Sequence, residues 1–253
     1  MICRKLRLSE GDRFLDIGCG WGGLLRHAAK HYGVTALGIT LSPSQAEEAR
    51  AWLQADGLSD RATVGIVDYQ DLEGQFDKIA SVGVYGHIGL SNIPGYFSKI
   101  RSLLDSGGLF LNHAISRGGK RKRTRFSKRP EQRALQKYIF PGGELDDIGH
   151  TVSEMEIAKL EVHDVEGWRR HCQRTTQIWC ERLSARRTEA EAMVGAPTYQ
   201  LWTAYLAGCS FAFQRGSEAH IPDLGVLFGQ GFAAAAALPR RPLRGALIAA
   251  GAP

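Results

Sequence analysis

The amino-acid sequence predicts an α/β protein, a mostly parallel twisted β-sheet with helices on both faces. Three observations support this fold class. In the first half of the chain, short apolar runs alternate with segments of helical periodicity, as in strand–helix–strand units. The first apolar run, Arg13–Ile17, ends directly in a glycine cluster. The composition, 43% hydrophobic and 23% charged, is that of a folded globular protein.

Residues that begin or end helices mark the boundaries of the predicted elements. We predict five strands in the first half, Arg13–Ile17, Val34–Leu41, Ala62–Val67, Lys78–Val82 and Leu109–Ile115. We predict three helices between them, Gly22–Tyr32, a helix from Ser42 to Asp56, and Asn92–Leu104. Gly33 is a natural stop for the first helix. Ser42 is the expected N-cap of the second, with Pro43 in its first turn.

The second half changes to longer helical patterns. We predict a turn at Tyr138–Gly143, a weak strand at Ala158–Val165, long helices at Gly167–Val194 and Pro197–Phe213, and a final edge strand within His220–Gly229. Both helices carry apolar stripes, which are Trp168, Cys172, Thr175 and Trp179 in one and Tyr199, Trp202, Leu206, Cys209 and Phe213 in the other. We expect core packing for both stripes, with the wall of an apolar substrate tunnel as the alternative.

The domain organisation follows from these patterns. We expect residues 1–232 to form one domain, in which 117–213 contribute a basic loop and a helical cover over the substrate. Residues 233–253 are rich in Ala, Pro, Arg and Gly, which indicates a low-complexity tail. No apolar run reaches the roughly 18 residues that a membrane-spanning helix needs.

One short segment makes the protein basic. The formal net charge is +6, and Arg117–Arg133, here called the basic segment, holds nine of the 32 basic residues and one of the 26 acidic residues. Such a block is either a solvated loop or a contact surface for lipid or nucleic-acid phosphates. Because Phe126 is its only aromatic residue, we expect an anionic membrane surface rather than nucleic acid as the partner.

The cysteines and the N-terminus bear on the compartment. None of the five cysteines forms a CxxC pair, so we expect neither a disulfide framework nor a zinc site. No apolar segment typical of a secretory signal follows Met1. We therefore predict a cytoplasmic location, with peripheral contact to the inner membrane through the basic segment. His27 and His31 are spaced by one helical turn, and we interpret them as a solvated face rather than a metal site.

The glycine cluster after the first strand is the most informative motif. Gly18, Gly20 and Gly22 follow a strand and precede a helix, so the backbone can closely approach a ligand. The spacing is G-x-G-x-G instead of the dinucleotide G-x-G-x-x-G, and the second predicted strand has no acidic residue at its end. This disfavours NAD. Asp16, just before the glycines, suits a ligand with a cationic ammonium group, such as S-adenosylmethionine.

Several motifs in order carry a family resemblance, which covers about residues 1–230. The segments are DIGCGWGG, GITLSPSQ, VDYQDL, GLFLNHAIS and YIFPGGEL. They resemble the cyclopropane-fatty-acyl-phospholipid synthases and mycolic acid methyltransferases. The resemblance implies a class I Rossmann-like methyltransferase fold and S-adenosylmethionine as cofactor. It implies cofactor contacts from Asp16, Gly18, Cys19, Gly20, Gly22, Thr40, Leu41, Gln45, Asp68, Tyr69 and Gln70. For Gln45 a helix-capping role is the alternative to a ribose contact.

The resemblance also implies a reaction, methyl transfer to a carbon–carbon double bond of an acyl chain, with a bound bicarbonate as base. His113 and Ile115 match two of the family's bicarbonate ligands, and His87 matches the histidine of its E-H-x-G element. The glutamate of that element is Gly86 here, a family tyrosine is Cys172, and the family's cysteine ligand precedes the part that this chain matches. We therefore do not expect bicarbonate to bind with the family's affinity, and His113 is an alternative base.

The resulting functional hypothesis is an S-adenosylmethionine-dependent enzyme that methylates an unsaturated fatty acyl chain of phospholipid. Two alternatives stay open. The chain could be a catalytically impaired relative that binds cofactor or lipid, as Gly86 and Cys172 indicate. It could also methylate a small amine, a reaction that needs no base to remove a proton from a carbocation.

Overall fold

The computed structural model describes residues 1–118, 137–215 and 224–231, the last range by its backbone. Its seven strands are β1 Arg13–Ile17, β2 Thr35–Thr40, β3 Ala62–Ile66, β4 Phe76–Val82, β5 Leu104–Ile115, β6 Leu160–Gly167 and β7 Leu224–Gly231. Its helices are α1 Ile2–Lys5, α2 Gly23–Tyr32, α3 Pro43–Ala55, α4 Ile93–Leu103, α5 Ile148–Ile157, α6 Arg169–Ala185, α7 Arg187–Val194 and α8 Ala196–Arg215. Short 3₁₀ turns at Tyr85–His87 and Leu90–Asn92 follow β4.

The seven strands form one sheet in the order β3-β2-β1-β4-β5-β7-β6. Strands β1 to β5 pair in parallel, whereas β7 is antiparallel to both of its neighbours. Two buried apolar clusters lie on the sheet, one containing residues of α1, α2 and α3 and the other containing residues of α4 and α5. The predicted α/β class, mostly parallel with helices on both faces, is confirmed.

The predicted helix ends agree with the structure in the first half. Gly33 ends α2 in the left-handed conformation at φ +66°. Ser42 caps α3, since its side chain accepts a hydrogen bond from the Gln45 backbone N–H at 3.4 Å, and Pro43 is the first helical residue. Strands and helices there begin and end within a few residues of the predicted bounds.

Four predictions for the second half were wrong. The long helix over 167–194 is two helices, because the chain leaves helical geometry at Arg186. Most of the stripe on α6 is not core: Trp168 packs against one buried cluster, but Trp179 is 54% exposed and α6 has no buried residue. Strand β7 is not an edge strand, because it fills the position between β5 and β6. Helix α5 was missed, although Asp147 caps it by accepting from the His150 N–H at 3.0 Å.

The other stripe behaves as predicted for the most part. On α8, Tyr199, Leu206 and Phe213 are buried, whereas Trp202 is 42% exposed. Helices α6 and α8 contact each other, with the Ser210 hydroxyl donating to the Gln173 carbonyl at 3.4 Å. Among the described residues, no helix has the length and apolar character needed to cross a membrane. The predicted tail and the basic segment from residue 119 onward lie outside the described residues.

Candidate active site

The predicted site residues lie at the carboxyl ends of the parallel strands. The loops after β1, β2, β3 and β4 and the end of β5 carry them. Strands β1 and β4 are neighbours in the sheet, and the strand order reverses between them. Open α/β sheets bind ligands at such a switch point. The sequence motifs therefore meet where this topology places a ligand.

The three glycines of the loop have different roles. Gly18 is at φ +68°, and a Cβ there would lie 2.3 Å from Cγ2 of Val84, so the loop packs directly on the segment after β4. Gly22 is at φ +79°, and a Cβ there would lie 2.9 Å from Cβ of Ala49 in α3. Gly20, at φ +55°, has nothing within 4 Å of its Cβ position. Only Gly20 therefore faces open space that a ligand can fill.

Cys19 packs against the neighbouring strand. Its Sγ would lie 2.9 Å from a Cβ at Gly38 of β2, and only 8% of its surface is exposed. Burial, with the Asp16 carboxyl group nearby, raises the pKa of its thiol to about 12. The side chain is thus a neutral packing group, and its backbone is what remains for a cofactor.

Asp16 is a buried carboxyl group at the end of β1. It is 2% exposed, and this burial raises its pKa to about 7. A cationic ligand would stabilise the ionised form of this carboxyl group, because a nearby positive charge favours ionisation. The position fits the ammonium group of a methionine moiety.

This pKa leads to a prediction for cofactor affinity. S-adenosylmethionine should bind about tenfold more tightly per pH unit as pH rises to about 7, with a plateau above, because ionised Asp16 pairs with the ammonium group. For the ligand-free protein, the pH trend of stability is opposite to that of affinity. Between pH 3.8 and about 7 the folded state keeps the Asp16 proton that the unfolded state has lost. The free energy of unfolding therefore falls as pH rises through that window. Calorimetric titration and thermal melts from pH 5 to 8 measure both trends.

A matched pair of variants tests this prediction. Asp16→Asn should remove both pH trends, whereas Asp60→Asn, at an exposed carboxyl group, should keep them. An unchanged binding profile in Asp16→Asn would contradict the assignment.

The ends of β2 and β3 supply polar groups beside the glycine loop. The Thr40 hydroxyl donates to Oε1 of Gln45 at 2.8 Å, and the Ser42 N–H donates to the Thr40 hydroxyl at 3.2 Å. The Gln45 side chain is therefore held by Thr40, not in a capping box, and its amide NH₂ is a donor for a ribose hydroxyl. Leu41 beside it is 69% exposed.

The segment after β3 forms a turn stabilised by its own carboxylate. Oδ1 of Asp68 accepts a hydrogen bond from the Gln70 N–H at 2.9 Å. The Tyr69 ring packs edge-on against Tyr96, with 5.5 Å between centroids, and burial raises the pKa of Tyr69. This turn offers a half-buried ring and a carboxylate, which are groups suited to a flat heterocycle such as adenine.

His113, near the end of β5, combines burial with an unpartnered nitrogen. Its Nδ1 has no hydrogen-bond partner in the described part of the chain, and burial lowers the pKa of the imidazole below 6.5. Its ring contacts Trp168 with 5.3 Å between centroids. Trp168 in turn lines an apolar cleft of 440 Å³, whose other lining residues are Met1, Ile2, Cys3, Leu24, His27 and His171. A neutral imidazole thus lies behind the wall of an apolar cleft.

Cys172 follows Trp168 by one helical turn, with its N–H donating to the Trp168 carbonyl at 3.0 Å. Burial raises the pKa of its thiol, so the side chain is neutral. Ile115 lies on the same strand face as His113, two residues further along β5.

Gly86 and His87 lie in the turn after β4, residues 84–90, here called the post-β4 turn. His87 is exposed and contacts the Phe140 ring edge-on at 5.6 Å. A Cβ at Gly86 would meet only the carbonyl oxygen of Glu144 and Cδ2 of Leu145, both at 3.8 Å. The first side-chain atom of a glutamate would therefore fit at position 86 without a clash. The exposed rings of His27 and His31 contact each other on α2 at a tilt of 45°, and no group of three metal-binding side chains occurs among the described residues.

The sheet order and the glycine loop define the class, a Rossmann-like methyltransferase fold. The crystal structure of mycolic acid cyclopropane synthase CmaA1 complexed with SAH and CTAB superposes with a TM-score of 0.83, at 26% identity over 90% of this chain and 81% of that one. The family model for mycolic acid cyclopropane synthetase matches residues 1–221. The chain belongs to this family.

Two curated relatives extend the comparison. A probable fatty acid methyltransferase of Pseudomonas putida is 42% identical over 217 residues, which is 85% of this chain and 55% of that protein. The cyclopropane-fatty-acyl-phospholipid synthase of Escherichia coli K12 is 35% identical over 214 residues, 85% of this chain and 53% of that protein. The chain thus spans about half the length of the curated relatives it matches.

The residues present fit S-adenosylmethionine. Gly20 leaves the loop open, Asp16 suits the ammonium group, Gln45 can donate to the ribose, and the turn at Asp68–Gln70 can flank the adenine. Two positions do not suit bicarbonate, because Gly86 supplies no carboxylate and Cys172 supplies a neutral thiol where the resemblance implies a hydroxyl.

Three residues that organise the site lie outside the site residues predicted from the sequence. Val84 packs on Gly18, Trp168 contacts His113, and Asp146 is buried beside the post-β4 turn. Trp168 was predicted as part of an apolar stripe, with core packing expected and the wall of an apolar tunnel as the alternative. Val84 and Asp146 act through contacts between segments that are distant in the chain, and a single sequence contains no pattern that predicts such contacts.

Proposed function

We propose that this protein transfers a methyl group from S-adenosylmethionine to a double bond in an unsaturated fatty acyl chain of phospholipid, with His113 as the proton acceptor. The observation that carries the proposal is the buried imidazole of His113 with its unpartnered Nδ1, in contact with Trp168 at the apolar cleft. The names of the two curated relatives support the acyl substrate class.

When bound, S-adenosylmethionine supplies an electrophilic methyl group on a sulfonium centre. An alkene is a weak nucleophile, so the chain's main contribution is a dry, fixed geometry. Trp168 and Leu24 contribute apolar surface to the cleft wall. After the new carbon–carbon bond forms, the acyl chain must lose a proton. The imidazole of His113 is in its neutral form at pH 7 because burial lowers its pKa, so its unprotonated ring nitrogen can accept that proton.

Docking on the membrane is part of this proposal. The basic segment would bring the site to anionic head groups through charge attraction. Arg117 at its start is engaged with Asp147 at 3.1 Å, so the docking charge would come from residues 120–133.

The test uses methyl-labelled S-adenosylmethionine with vesicles of unsaturated phosphatidylglycerol. We expect label in the extracted lipid, and equal transfer in bicarbonate-free and bicarbonate-supplemented buffer, because His113 and not a bound anion takes the proton. Raising the salt from 0.05 to 0.5 M should release the protein from the vesicles.

Each outcome separates the alternatives. Bound cofactor without labelled lipid would contradict acyl transfer, and label on an added small amine would then identify an N-methyltransferase. A requirement for bicarbonate would overturn the role of His113, and Gly86→Glu should in that case raise activity. Vesicle binding that is independent of salt would overturn the docking step.

A further inference from the structure

Asp146 is a buried acidic residue outside the sequence motifs. It is 3% exposed, and its carboxylate is surrounded by donors. Oδ2 accepts from the Tyr85 hydroxyl at 2.9 Å and from the Thr151 hydroxyl at 3.0 Å. Nδ1 of His150 lies 2.8 Å from the same oxygen, and the Asp147 N–H donates to Oδ1 at 2.8 Å. This many directional contacts fix the carboxylate rigidly.

The Tyr85 contact connects Asp146 to the cofactor loop. Tyr85 is 4% exposed and belongs to the post-β4 turn. Its neighbour Val84 is the residue whose Cγ2 lies 2.3 Å from a Cβ position at Gly18. The position of Tyr85 therefore sets how closely the turn approaches the glycine loop.

A second acidic residue of the same segment holds the other side of the turn. Oε2 of Glu144 accepts from the Leu90 N–H at 3.0 Å, and the Glu144 N–H donates to the Gly86 carbonyl at 2.9 Å. Hydrogen bonds with Glu144 thus hold the middle and the end of the turn, and Asp146 holds its start through Tyr85. Asp147 differs, because its carboxylate caps α5 and pairs with Arg117.

We propose that Asp146 is a positioning residue, whose carboxylate holds Tyr85 and thereby keeps the post-β4 turn against the glycine loop in the geometry that binds S-adenosylmethionine. The inference rests on the cofactor of the proposed function and not on its acceptor. It predicts that the two ends of the contact act as one unit.

A double-mutant cycle measures this. Tyr85→Phe removes the donor, and Asp146→Asn removes the acceptor charge. Each should raise the Kd for S-adenosylmethionine about tenfold, since a buried hydrogen bond to a charged group is lost. The double variant should be no worse than either single one. Asp147→Asn is the matched control: it keeps an oxygen that can cap α5 but loses the ion pair with Arg117, so it should lower the melting temperature slightly and leave the Kd unchanged.

Amide hydrogen exchange gives a readout that needs neither cofactor nor lipid. The His87 N–H, which donates to the Val84 carbonyl at 2.8 Å, should exchange faster in Tyr85→Phe and Asp146→Asn but not in Asp147→Asn. Additive effects on the Kd, or unchanged exchange at His87, would overturn the proposal. Should the wild-type chain bind no S-adenosylmethionine, the proposed function fails, and hydrogen exchange alone decides the role of Asp146.

Discussion

Replacing Gly18 by alanine is expected to abolish useful binding of S-adenosylmethionine while leaving most of the fold intact. At φ +68° an alanine is strained by about 1–2 kcal/mol. Its Cβ would also lie 2.3 Å from Cγ2 of Val84, so the glycine loop and the post-β4 turn must separate. Because both segments border the proposed cofactor position, we expect the Kd to rise by on the order of 100-fold, combining strain with overpacking. Isothermal titration calorimetry measures it.

Two variants separate the clash from the strain. Gly57→Ala has the same strain at φ +67° but meets nothing within 4 Å, so it should lose some stability and keep the wild-type Kd. Adding Val84→Ala to Gly18→Ala removes the clashing methyl group, leaving only Val84 Cβ at 3.7 Å, and should restore most of the affinity. A Gly18→Ala variant that binds like the wild type would show that this contact does not shape the site.

The glycine loop and the helix ends beside it are features that could be predicted from the sequence. Local signals mark Gly33, Ser42 and the glycine cluster, because each residue type indicates the backbone conformation at its own position. They placed β1, α2, β2 and α3 within a few residues, and with them the cofactor edge of the sheet. Periodicity then predicted the helix-covered parallel sheet, because helix and strand patterns differ in period.

The second half of the chain shows where this information ends. The α6 stripe has the period of a core-facing helix, yet Trp179 is 54% exposed, because what a stripe contacts depends on where the helix docks. The place of β7 depends on the gap between β5 and β6, which no local pattern encodes. Asp146 contacts Tyr85, 61 positions away, and such pairs become visible only after folding.

Replacing His113 by glutamine is expected to lower methyl transfer to lipid by about 10²- to 10⁴-fold, the usual contribution of a general base. Cofactor affinity should stay within about twofold, because His113 is not among the residues that fit the cofactor. The rate should fall because the variant lacks the proposed proton acceptor. Label transferred to lipid under single-turnover conditions measures the first quantity, and calorimetry measures the second.

The pH dependence gives His113 a signature that packing alone would not produce. Burial lowers its pKa from 6.5, and only the neutral imidazole accepts a proton, so the wild-type rate should rise with pH through a midpoint below 6.5 and then level off. The unfolded histidine binds its proton at higher pH than the folded one, so the free energy of unfolding should fall as pH drops below 6.5. His113→Gln should lose both dependences. His163→Gln, at an exposed histidine of β6 that does not line the cleft, should keep both, as well as the full rate. Full transfer by His113→Gln would mean that solvent or another group removes the proton, and the site would then serve only to hold cofactor and acyl chain.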